Sequence, residues 1–278
     1  LSDWAGRIME EYPKFNIVGE EWSYNPIRIA YWQEGNNNKD GYESNLKSTM
    51  DFAMQKAISE GILEEENWNT GLIKIYENLA NDFYYADPKS LLIFNDNHDM
   101  SRIFTQMKED VSKTKMAVSL MLILPRIPQI LYGTEILMED SAKPGDHGLI
   151  RTDFPGGWKN DKSNAFTAEN LEDSQLEMQN YLKILLNFRK NSKAIHKGKT
   201  LHYAPKNGVY LLSRKFEDEI VIYIVNKNDK SVNLNTDRFI EIDAVGKTFI
   251  DIHSKKRYEW KEKIKIKNNS SMILSTKI

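Results

Sequence analysis

The sequence predicts an α/β fold in which four strand–loop–helix units precede a small antiparallel β-domain. Short apolar runs that alternate with helical patterns are typical of a parallel sheet covered by helices. Four such units make half of an eight-stranded (β/α)8 TIM barrel. After Lys197 the helical spacing ends, and short β-rich runs separated by polar turns follow. We therefore predict a partial barrel over residues 1–196 and a β-domain over residues 197–278.

The composition indicates a globular protein and argues against several classes of partner. The chain has 278 residues, 40% of them hydrophobic, and a net charge of −2. Because no basic run is present, nucleic acid is not expected as the main partner. Because no apolar run is long enough to span a bilayer, a membrane is not expected either. The absence of cysteine excludes disulfides and thiolate metal sites.

Periodicity places the individual elements. Apolar runs predict strands at 15–19, 47–52, 91–94 and 127–132. Helical spacing predicts helices from Ser2 to just before Pro13 and at 53–59, 71–83, 113–124 and 174–194. The polar segment 25–40 and the segment 139–169, which holds much of the local Gly and Pro, are interpreted as loops. In the β-domain, runs at 210–212, 220–225, 248–252 and 272–274 predict strands.

Carboxylates follow three of the predicted strands, at Glu20, Asp99 and Glu135. In a parallel barrel these strand ends line the active site. Two carboxyl groups that face a sugar are the minimum requirement for cleaving a glycosidic bond. One protonates the leaving oxygen, and the other attacks or stabilises the sugar. Trp22 would offer a sugar ring an apolar wall, although a single Trp more often belongs to a core. Glu21 is interpreted as a solvated neighbour.

The polar residues before Asp99 admit three interpretations. A functional site is one, because burying such a cluster is otherwise costly. An Asn/Asp turn followed by a helix cap is the second. A metal-dependent hydrolase built on Asp96, His98 and Asp99 is the third, and it fails on ligand count. His147 and the other histidines are scattered in loops and the β-domain and supply no second cluster.

Three motifs, taken in order, resemble those of the α-amylase family of glycoside hydrolases (glycoside hydrolase family 13). They are IVGEEW at 17–22, FNDNHD at 94–99 and IPQILYGTE at 127–135. The segment GLIRTDFPGGW at 148–158 is similar to a loop of neopullulanases and cyclomaltodextrinases. The resemblance implies strands five to eight of the barrel, that is its C-terminal half, followed by a C-terminal β-sandwich.

The resemblance also implies roles for individual residues. Glu20 would be the general acid/base, and Asp99 the second carboxylate, which stabilises the transition state. His98 would bind the same sugar hydroxyls as Asp99. Asn97 and Arg102 would contact the substrate or, more simply, orient Asp99 and hold its loop.

Two loop residues, Asp146 and Arg151, would grip the next sugar towards the non-reducing end, by the same resemblance. Glu135 is expected to be structural and buried near the mouth of the barrel. No metal ligand is assigned.

The departure from the family pattern concerns the nucleophile. The family carries it as an Asp in an Arg-x-Asp motif after strand four, and no such motif precedes Glu20 here. We therefore expect a fragment of a larger retaining glycosidase, inactive or nearly so by itself. The open edges of a half-barrel would favour self-association.

The expected substrates of the parent enzyme are α-1,4-linked, starch-derived glucans, pullulan or cyclodextrins. The alternative is a non-catalytic α-glucan-binding protein with an amylase-like barrel. No cofactor is expected. Calcium binding by the intact enzyme is left open. By resemblance alone, the location would be periplasmic.

Overall fold

The computed structural model describes residues 1–261 and 263–277, and the chain divides into two compact units. One unit comprises Leu1–Phe94 and Pro125–Gln129, and the other comprises Asn95–Leu124 and Ile130–Ile278. The domain boundary predicted at residues 196 and 197 falls inside the second unit. Two residues of the predicted β-domain, Glu262 and Ile278, lie outside the described residues.

The first unit contains four α-helices and four short strands within the described residues. In chain order these are α1 (Ser2–Glu11), β1 (Val18–Gly19), α2 (Pro26–Tyr31), β2 (Ser48–Thr49), α3 (Phe52–Leu63), α4 (Ile73–Ala80), β3 (Leu92–Ile93) and β4 (Ile127–Pro128). Each predicted strand is present, but only two residues of each run form a ladder. Beyond these ladders, single backbone contacts such as a bridge at Met50 extend the pairing.

The four strands of the first unit run parallel and in chain order. β1 pairs with β2, and β3 pairs with β4. A parallel bridge between Met50 and Leu92 joins the two pairs, supported by a hydrogen bond from the Asp51 N–H to the Leu92 carbonyl at 2.8 Å. Within the described residues, β1 and β4 each have one strand neighbour only. Val18 and Ile127, on these outer strands, are 41% and 48% exposed.

The helix α2 corrects the sequence prediction of an unbroken loop over residues 25–40. Asn25 caps this helix by accepting a hydrogen bond from the Ile27 N–H at 3.0 Å, and Pro26 occupies its first turn. Pro is favoured there because its fixed φ suits the helix and its missing N–H would be unpaired anyway. Ile29 and Ala30 are buried and attach the helix to the unit.

A buried arginine connects two of the parallel strands. Arg126, directly before β4, donates from Nε to Asp51 at 2.9 Å and from Nη2 to Asp82 at 2.5 Å. Asp51 follows β2 and is fully buried, and it also caps α3 by accepting from the Met54 N–H. The two carboxylates raise the pKa of Arg126 against the opposing effect of its burial. One ion cluster therefore links two strand ends and a helix.

The second unit combines helices with the antiparallel β-domain. Its helices are α5 (Ile103–Gln106), α6 (Val111–Ile123), α7 (His147–Ile150), α8 (Asp173–Asn191) and α9 (Lys193–Lys197). Its strands are β5 (Lys199–Lys206), β6 (Val209–Phe216), β7 (Glu219–Asn226), β8 (Val232–Asn235), β9 (Thr248–Asp251), β10 (Arg257–Glu259), β11 (Lys263–Ile266) and β12 (Ser270–Ser275). In the part of the chain that the structure describes, no helix combines the length and the hydropathy needed to cross a membrane.

The predicted antiparallel character of the terminal domain is confirmed. A six-stranded sheet has the order β10-β9-β12-β7-β6-β5, and β11 pairs separately with β8. One face of the large sheet packs into an apolar core that includes Ile222, Ile224, Phe249, Trp260 and residues of β8 and β11. Burial of this core from both sides is the packing of a β-sandwich.

The other face of the large sheet is covered by helices of the same unit. Every residue of β7 is buried, and the Tyr223 hydroxyl donates to the Met116 carbonyl of α6 at 3.0 Å. Burial raises the pKa of Tyr223 well above its usual range, so the hydroxyl remains a donor. α6 has nine buried residues. This agrees with the strongly apolar helix predicted there.

Replacing Asp51 by Ala should destabilise the protein far more than removing an equivalent helix cap. Asp110 is a suitable control because it caps α6 by accepting from the Lys113 N–H at 3.0 Å and contacts no buried cation. Loss of a cap costs about 1 kcal/mol. Removing one partner of a buried ion pair costs about 3–5 kcal/mol. Urea unfolding of Asp51→Ala and Asp110→Ala measures the difference, and equal losses would contradict a structural role for the Arg126 cluster.

Candidate active site

Two adjacent carboxylates follow β1, and the structure distinguishes them. Glu21 accepts from Arg28 at 2.7 Å and from the Trp32 indole N–H at 3.1 Å. The interpretation of Glu21 as merely solvated is therefore wrong, because it joins α2 to the end of β1. Glu20 is exposed and has no hydrogen bond or ion pair with a described residue. Of the two carboxylates, Glu20 is the one available for chemistry.

Trp22 lies two residues further on and presents a supported aromatic face. Its ring stacks on Phe52 at 4.7 Å between centroids, and Phe52 meets Phe94 edge-on at 4.9 Å. The side chain is nevertheless 45% exposed. Because Phe52 and Phe94 are fully buried, the indole rests on a rigid base. The structure thus places Trp22 partly in the core and partly in solvent.

The loop that carries Asp99 is held by its own polar side chains. Asp96 is buried and accepts from the Ile103 N–H at 2.6 Å. Burial raises the pKa of Asp96 to about 6. Asn97 is also buried, and its Oδ1 accepts from the Asp99 N–H at 2.8 Å. Asn97 therefore orients the backbone of Asp99 and offers little surface to a ligand.

Asp99 itself lies in a cluster of exposed polar groups. Its Oδ1 is 2.5 Å from Nη2 of Arg151, and its Oδ2 is 3.3 Å from Nε2 of His98. Arg151 also donates from Nε to the His98 carbonyl at 2.9 Å. The His98 side chain is 64% exposed, and the Asp99 side chain 30%. The carboxylate is thus fixed on one side and open to solvent on the other.

His147 belongs to this cluster, which corrects the prediction that it is one of several scattered histidines. Its Nδ1 lies 3.2 Å from Nη2 of Arg151, four residues later. The i,i+4 spacing of His147 and Arg151 is the signal that could have paired them, since residues so spaced share one face of a helix.

Asp146 holds the helix that precedes Arg151. Its Oδ1 accepts from the N–H groups of Gly148 at 2.9 Å and Leu149 at 3.3 Å, which caps α7. Its Oδ2 pairs with Lys143 at 2.8 Å. The hydrogen bond from Lys143 and those from the two backbone amides hold the pKa of Asp146 below its usual range. Asp146 is thus engaged in positioning α7.

Arg102 is fully buried and contacts backbone carbonyls. Its Nε donates to the Ile150 carbonyl at 2.9 Å, and Nη1 donates to the Tyr132 carbonyl. The guanidinium also lies over the Tyr132 ring, 4.9 Å from its centroid. These contacts fix the chain immediately before Arg151. Arg102 therefore positions neighbouring segments of the chain. Of the two roles considered for it, substrate contact and support of the Asp99 loop, these contacts favour the second.

Glu135 closes a local turn. Its Oε2 accepts from the Gly133 N–H at 2.8 Å, and the residue is half-buried. Gly133 has a φ of +89°, and a Cβ there would lie 2.2 Å from the Met138 sulfur, so only glycine fits. The expected structural role agrees with this contact, whereas the residue is only half-buried and not buried as expected.

The structure thus brings together His98, Asp99 and Arg151, with Asn97, Arg102 and Asp146 holding their segments. Glu20 and Trp22 lie in the first unit. Among residues 1–261 and 263–277, no group of three or more His, Cys, Asp or Glu side chains is arranged to hold a metal ion.

Two family models match this chain, and they meet near the boundary predicted between residues 196 and 197. Residues 1–183 match the family described as "Alpha amylase, catalytic domain". Residues 200–275 match "Cyclo-malto-dextrinase C-terminal domain".

Curated relatives support the same assignment at low identity. An alpha-amylase of Niallia circulans is 26% identical over 219 residues, covering 77% of this chain and 37% of that protein. Alpha-amylase 3 of Dictyoglomus thermophilum is 28% identical over 249 residues, covering 81% and 46% respectively. A cyclomaltodextrin glucanotransferase of Paenibacillus macerans is 26% identical, covering 64% of this chain and 22% of that protein. The chain therefore spans less than half the length of these relatives.

Solved structures show the same fold. The alpha-amylase of Geobacillus thermoleovorans, crystallised with acarbose, superposes with a TM-score of 0.74 at 20% identity, covering 99% of this chain and 56% of that one. A cyclic α-maltosyl-(1→6)-maltose hydrolase from Arthrobacter globiformis superposes with a TM-score of 0.71 at 15% identity, covering 99% and 52%.

The catalytic-domain match covers more than half of the 278 residues and includes Glu20, Trp22, His98 and Asp99. The terminal match covers most of the antiparallel β-domain. This chain belongs to the α-amylase family of glycoside hydrolases.

Proposed function

We propose that the intact protein cleaves α-1,4-glucosidic bonds in starch-derived glucans, pullulan or cyclodextrins with retention of configuration. The observation that carries this proposal is the solvent-accessible cluster of Asp99, His98 and Arg151. A carboxylate held by a cation on one side and open on the other accepts hydrogen bonds from sugar hydroxyls and stabilises positive charge on a sugar ring. The exposed imidazole of His98 provides a further hydrogen bond to the same hydroxyls.

Glu20 is the general acid/base in this proposal. It follows β1, and Asp99 follows β3 in the chain, and these strands run parallel. In parallel barrels the catalytic groups follow the C-terminal ends of the strands. Glu21 is bonded to Arg28 and Trp32, whereas Glu20 has no partner among the described residues, so Glu20 is free to exchange a proton with the glycosidic oxygen. Trp22 supplies the apolar surface beside it.

A neopullulanase- or cyclomaltodextrinase-like specificity is supported by two features. The terminal domain matches the cyclo-malto-dextrinase C-terminal family. Segment 148–158 resembles the corresponding loop of such enzymes, and it carries Arg151. Acarbose, the ligand of the Geobacillus thermoleovorans enzyme, belongs to the same chemical class as the glucans proposed here.

By resemblance to neopullulanases and cyclomaltodextrinases, we also propose that the enzyme is periplasmic.

The nucleophile of the retaining mechanism is not assigned to a residue of this chain. A retaining enzyme needs two carboxyl groups about 5 Å apart across the bond. The family pattern places the nucleophile in an Arg-x-Asp motif upstream of the Glu20 motif, and residues 1–19 contain none. We infer that the 278-residue chain alone is inactive or nearly so, since catalytic groups that act as a unit lose most activity when one is missing.

Replacing Glu20 by Gln tests the proposed acid/base. In an enzyme completed by co-expression with an upstream half, release of reducing sugar from pullulan and soluble starch should fall about 10²–10⁴-fold, the usual contribution of a general acid/base. The 278-residue chain alone should show no activity above its own Glu20→Gln variant.

The adjacent Glu21→Gln change is the matched control. Gln keeps one acceptor oxygen, so it retains the hydrogen bond from only one of Arg28 and Trp32, which donate to different oxygens of Glu21. Activity should therefore change little while stability falls slightly. A completed enzyme that keeps its activity after Glu20→Gln would overturn the assignment of Glu20. Glucan binding without any turnover by that completed enzyme would instead favour a non-catalytic glucan-binding protein.

We also infer that the outer strands of the first unit associate with those of a second copy of this chain. Val18 on β1 and Ile127 on β4 are exposed apolar residues on strands with one neighbour each in the described chain. Unpaired strand edges with apolar side chains favour association. Trp4, 56% exposed on α1, adds apolar surface in the same unit.

Light scattering tests this association. The wild-type chain should form dimers or larger species, and Val18→Lys should shift them towards monomer because a lysine on an edge strand opposes pairing. Ile240→Lys is the matched control, since Ile240 is 66% exposed in the β-domain and on no strand edge. A monodisperse wild-type monomer at the same concentration would contradict the inference.

A further inference from the structure

Residues 151–172, here called the Trp158 loop, connect α7 and α8 without helix or strand except for one bridge between Asn164 and Glu169. Loops longer than about 12–15 residues without secondary structure are uncommon in compact domains and are usually functional or disordered. The internal hydrogen bonds of this loop argue against disorder.

Two polar side chains hold the backbone of the Trp158 loop. The Asp161 carboxylate accepts from the N–H of Gly156 at 2.7 Å and of Trp158 at 3.0 Å. The Asn164 Oδ1 accepts from the N–H of Phe166 at 2.9 Å and of Thr167 at 3.2 Å. The backbone amides of Trp158 and Phe166 are therefore each fixed by a side chain of the loop.

The middle of the loop is anchored to the rest of the unit. Ala165 is buried, its N–H donates to the Pro155 carbonyl at 3.0 Å, and its carbonyl accepts from Gln179 of α8 at 2.9 Å. Gly156 has a φ of +103°, and a Cβ there would lie 2.4 Å from the Asn164 Oδ1. The turn before Trp158 thus requires glycine, and its conformation is set before any ligand arrives.

This ordered loop directs two large aromatic rings into solvent. Trp158 is 67% exposed and Phe166 is 73% exposed. Phe166 meets the Phe154 ring at 5.0 Å between centroids, which steadies it. The Trp158 indole has no ring contact or side-chain hydrogen bond within the described chain. Trp is highly buried on average, so an exposed indole on a rigid loop is a surface suited to binding.

The charges of the loop indicate the class of ligand. Between residues 152 and 171 the acidic side chains are Asp153, Asp161 and Glu169, and the basic ones are Lys159 and Lys162. Their near balance attracts neither an anionic nor a cationic partner. Flat apolar rings beside neutral and mixed polar groups fit a neutral ligand with apolar faces and hydroxyl edges, which is the chemistry of a sugar chain.

We propose that Trp158, with Phe166, is a contact site for α-glucan chains that extend beyond the sugars held by Asp99, His98 and Arg151. The inference rests on the proposed function for its ligand, and the loop begins at Arg151, which contacts Asp99. Because the loop is ordered by its own hydrogen bonds, little conformational entropy is lost when a sugar stacks on the indole.

Affinity electrophoresis of the 278-residue chain in native gels that contain soluble starch tests the proposal without requiring turnover. Starch should retard the wild-type chain, and Trp158→Ala should raise the apparent Kd about tenfold, which corresponds to about 1.4 kcal/mol. Phe166→Ala should raise it less, because Phe166 shares its ring surface with Phe154. Trp158→Tyr should keep most of the affinity.

Trp68→Ala is the matched control, since Trp68 is 90% exposed in the first unit and should leave retardation unchanged. Circular dichroism establishes that each variant is folded. The proposal is overturned if the folded wild-type chain is not retarded, if Trp158→Ala is retarded like wild type, or if Trp68→Ala weakens binding equally. Glu20→Gln should be retarded like wild type, so failure of Glu20 in the activity assay is distinguishable from failure of Trp158 in the gel.

Discussion

The buried guanidinium of Arg126 is the interaction on which the first unit depends. Each parallel strand contributes only two residues to its ladder, which is too little backbone pairing to hold a sheet by itself. Arg126 compensates by bonding Asp51 after β2 and Asp82 after α4. A charge buried in this way is costly unless it is fully paired, so the cluster tolerates few alternative arrangements. The position of β1, and hence of Glu20 after it, is built on this sheet.

The second unit uses a different arginine for a similar purpose. Arg102 is buried among the carbonyls of Ile150 and Tyr132 and bonds no carboxylate with its side chain in the described structure. Its backbone N–H donates to Asp140 at 3.0 Å. These bonds fix three chain segments around the loop that carries Asp99. The exposed Arg151 is then free to contact Asp99 and to face a ligand.

Residues that are neighbours in the sequence thus have different roles: some hold the backbone, and others present polar atoms to solvent. Glu21, Asn97 and Arg102 satisfy structural hydrogen bonds, while Glu20, His98 and Arg151 keep polar atoms accessible to solvent. Such a division is typical of binding and catalytic sites, in which the reacting groups must be held without being neutralised. The Trp158 loop follows the same logic, because its amides are bonded internally and its indole is left open.

Much of this organisation is encoded locally and is predictable from the sequence. Periodicity predicts the apolar runs before Glu20 and Asp99 and the helical stripe of α8, because these features depend on residues that are close in the chain. Family motifs likewise indicate Glu20, His98 and Asp99 as candidate site residues without coordinates. The antiparallel character of the terminal domain follows from its short β-rich runs and polar turns.

Tertiary structure decided what depends on partners distant in sequence. β5 was missed because Lys199–Lys206 lacks an apolar run and becomes a strand by pairing with β6. Other features also depend on which surfaces pack together. They are the lengths of β1 to β4, the hydrogen bonds of Glu21, the burial of Arg102 and the position of His147 beside Arg151. Local sequence specifies what a residue can do, whereas its burial and its hydrogen-bond partners are set by packing, and these determine which of two adjacent carboxylates remains free to react.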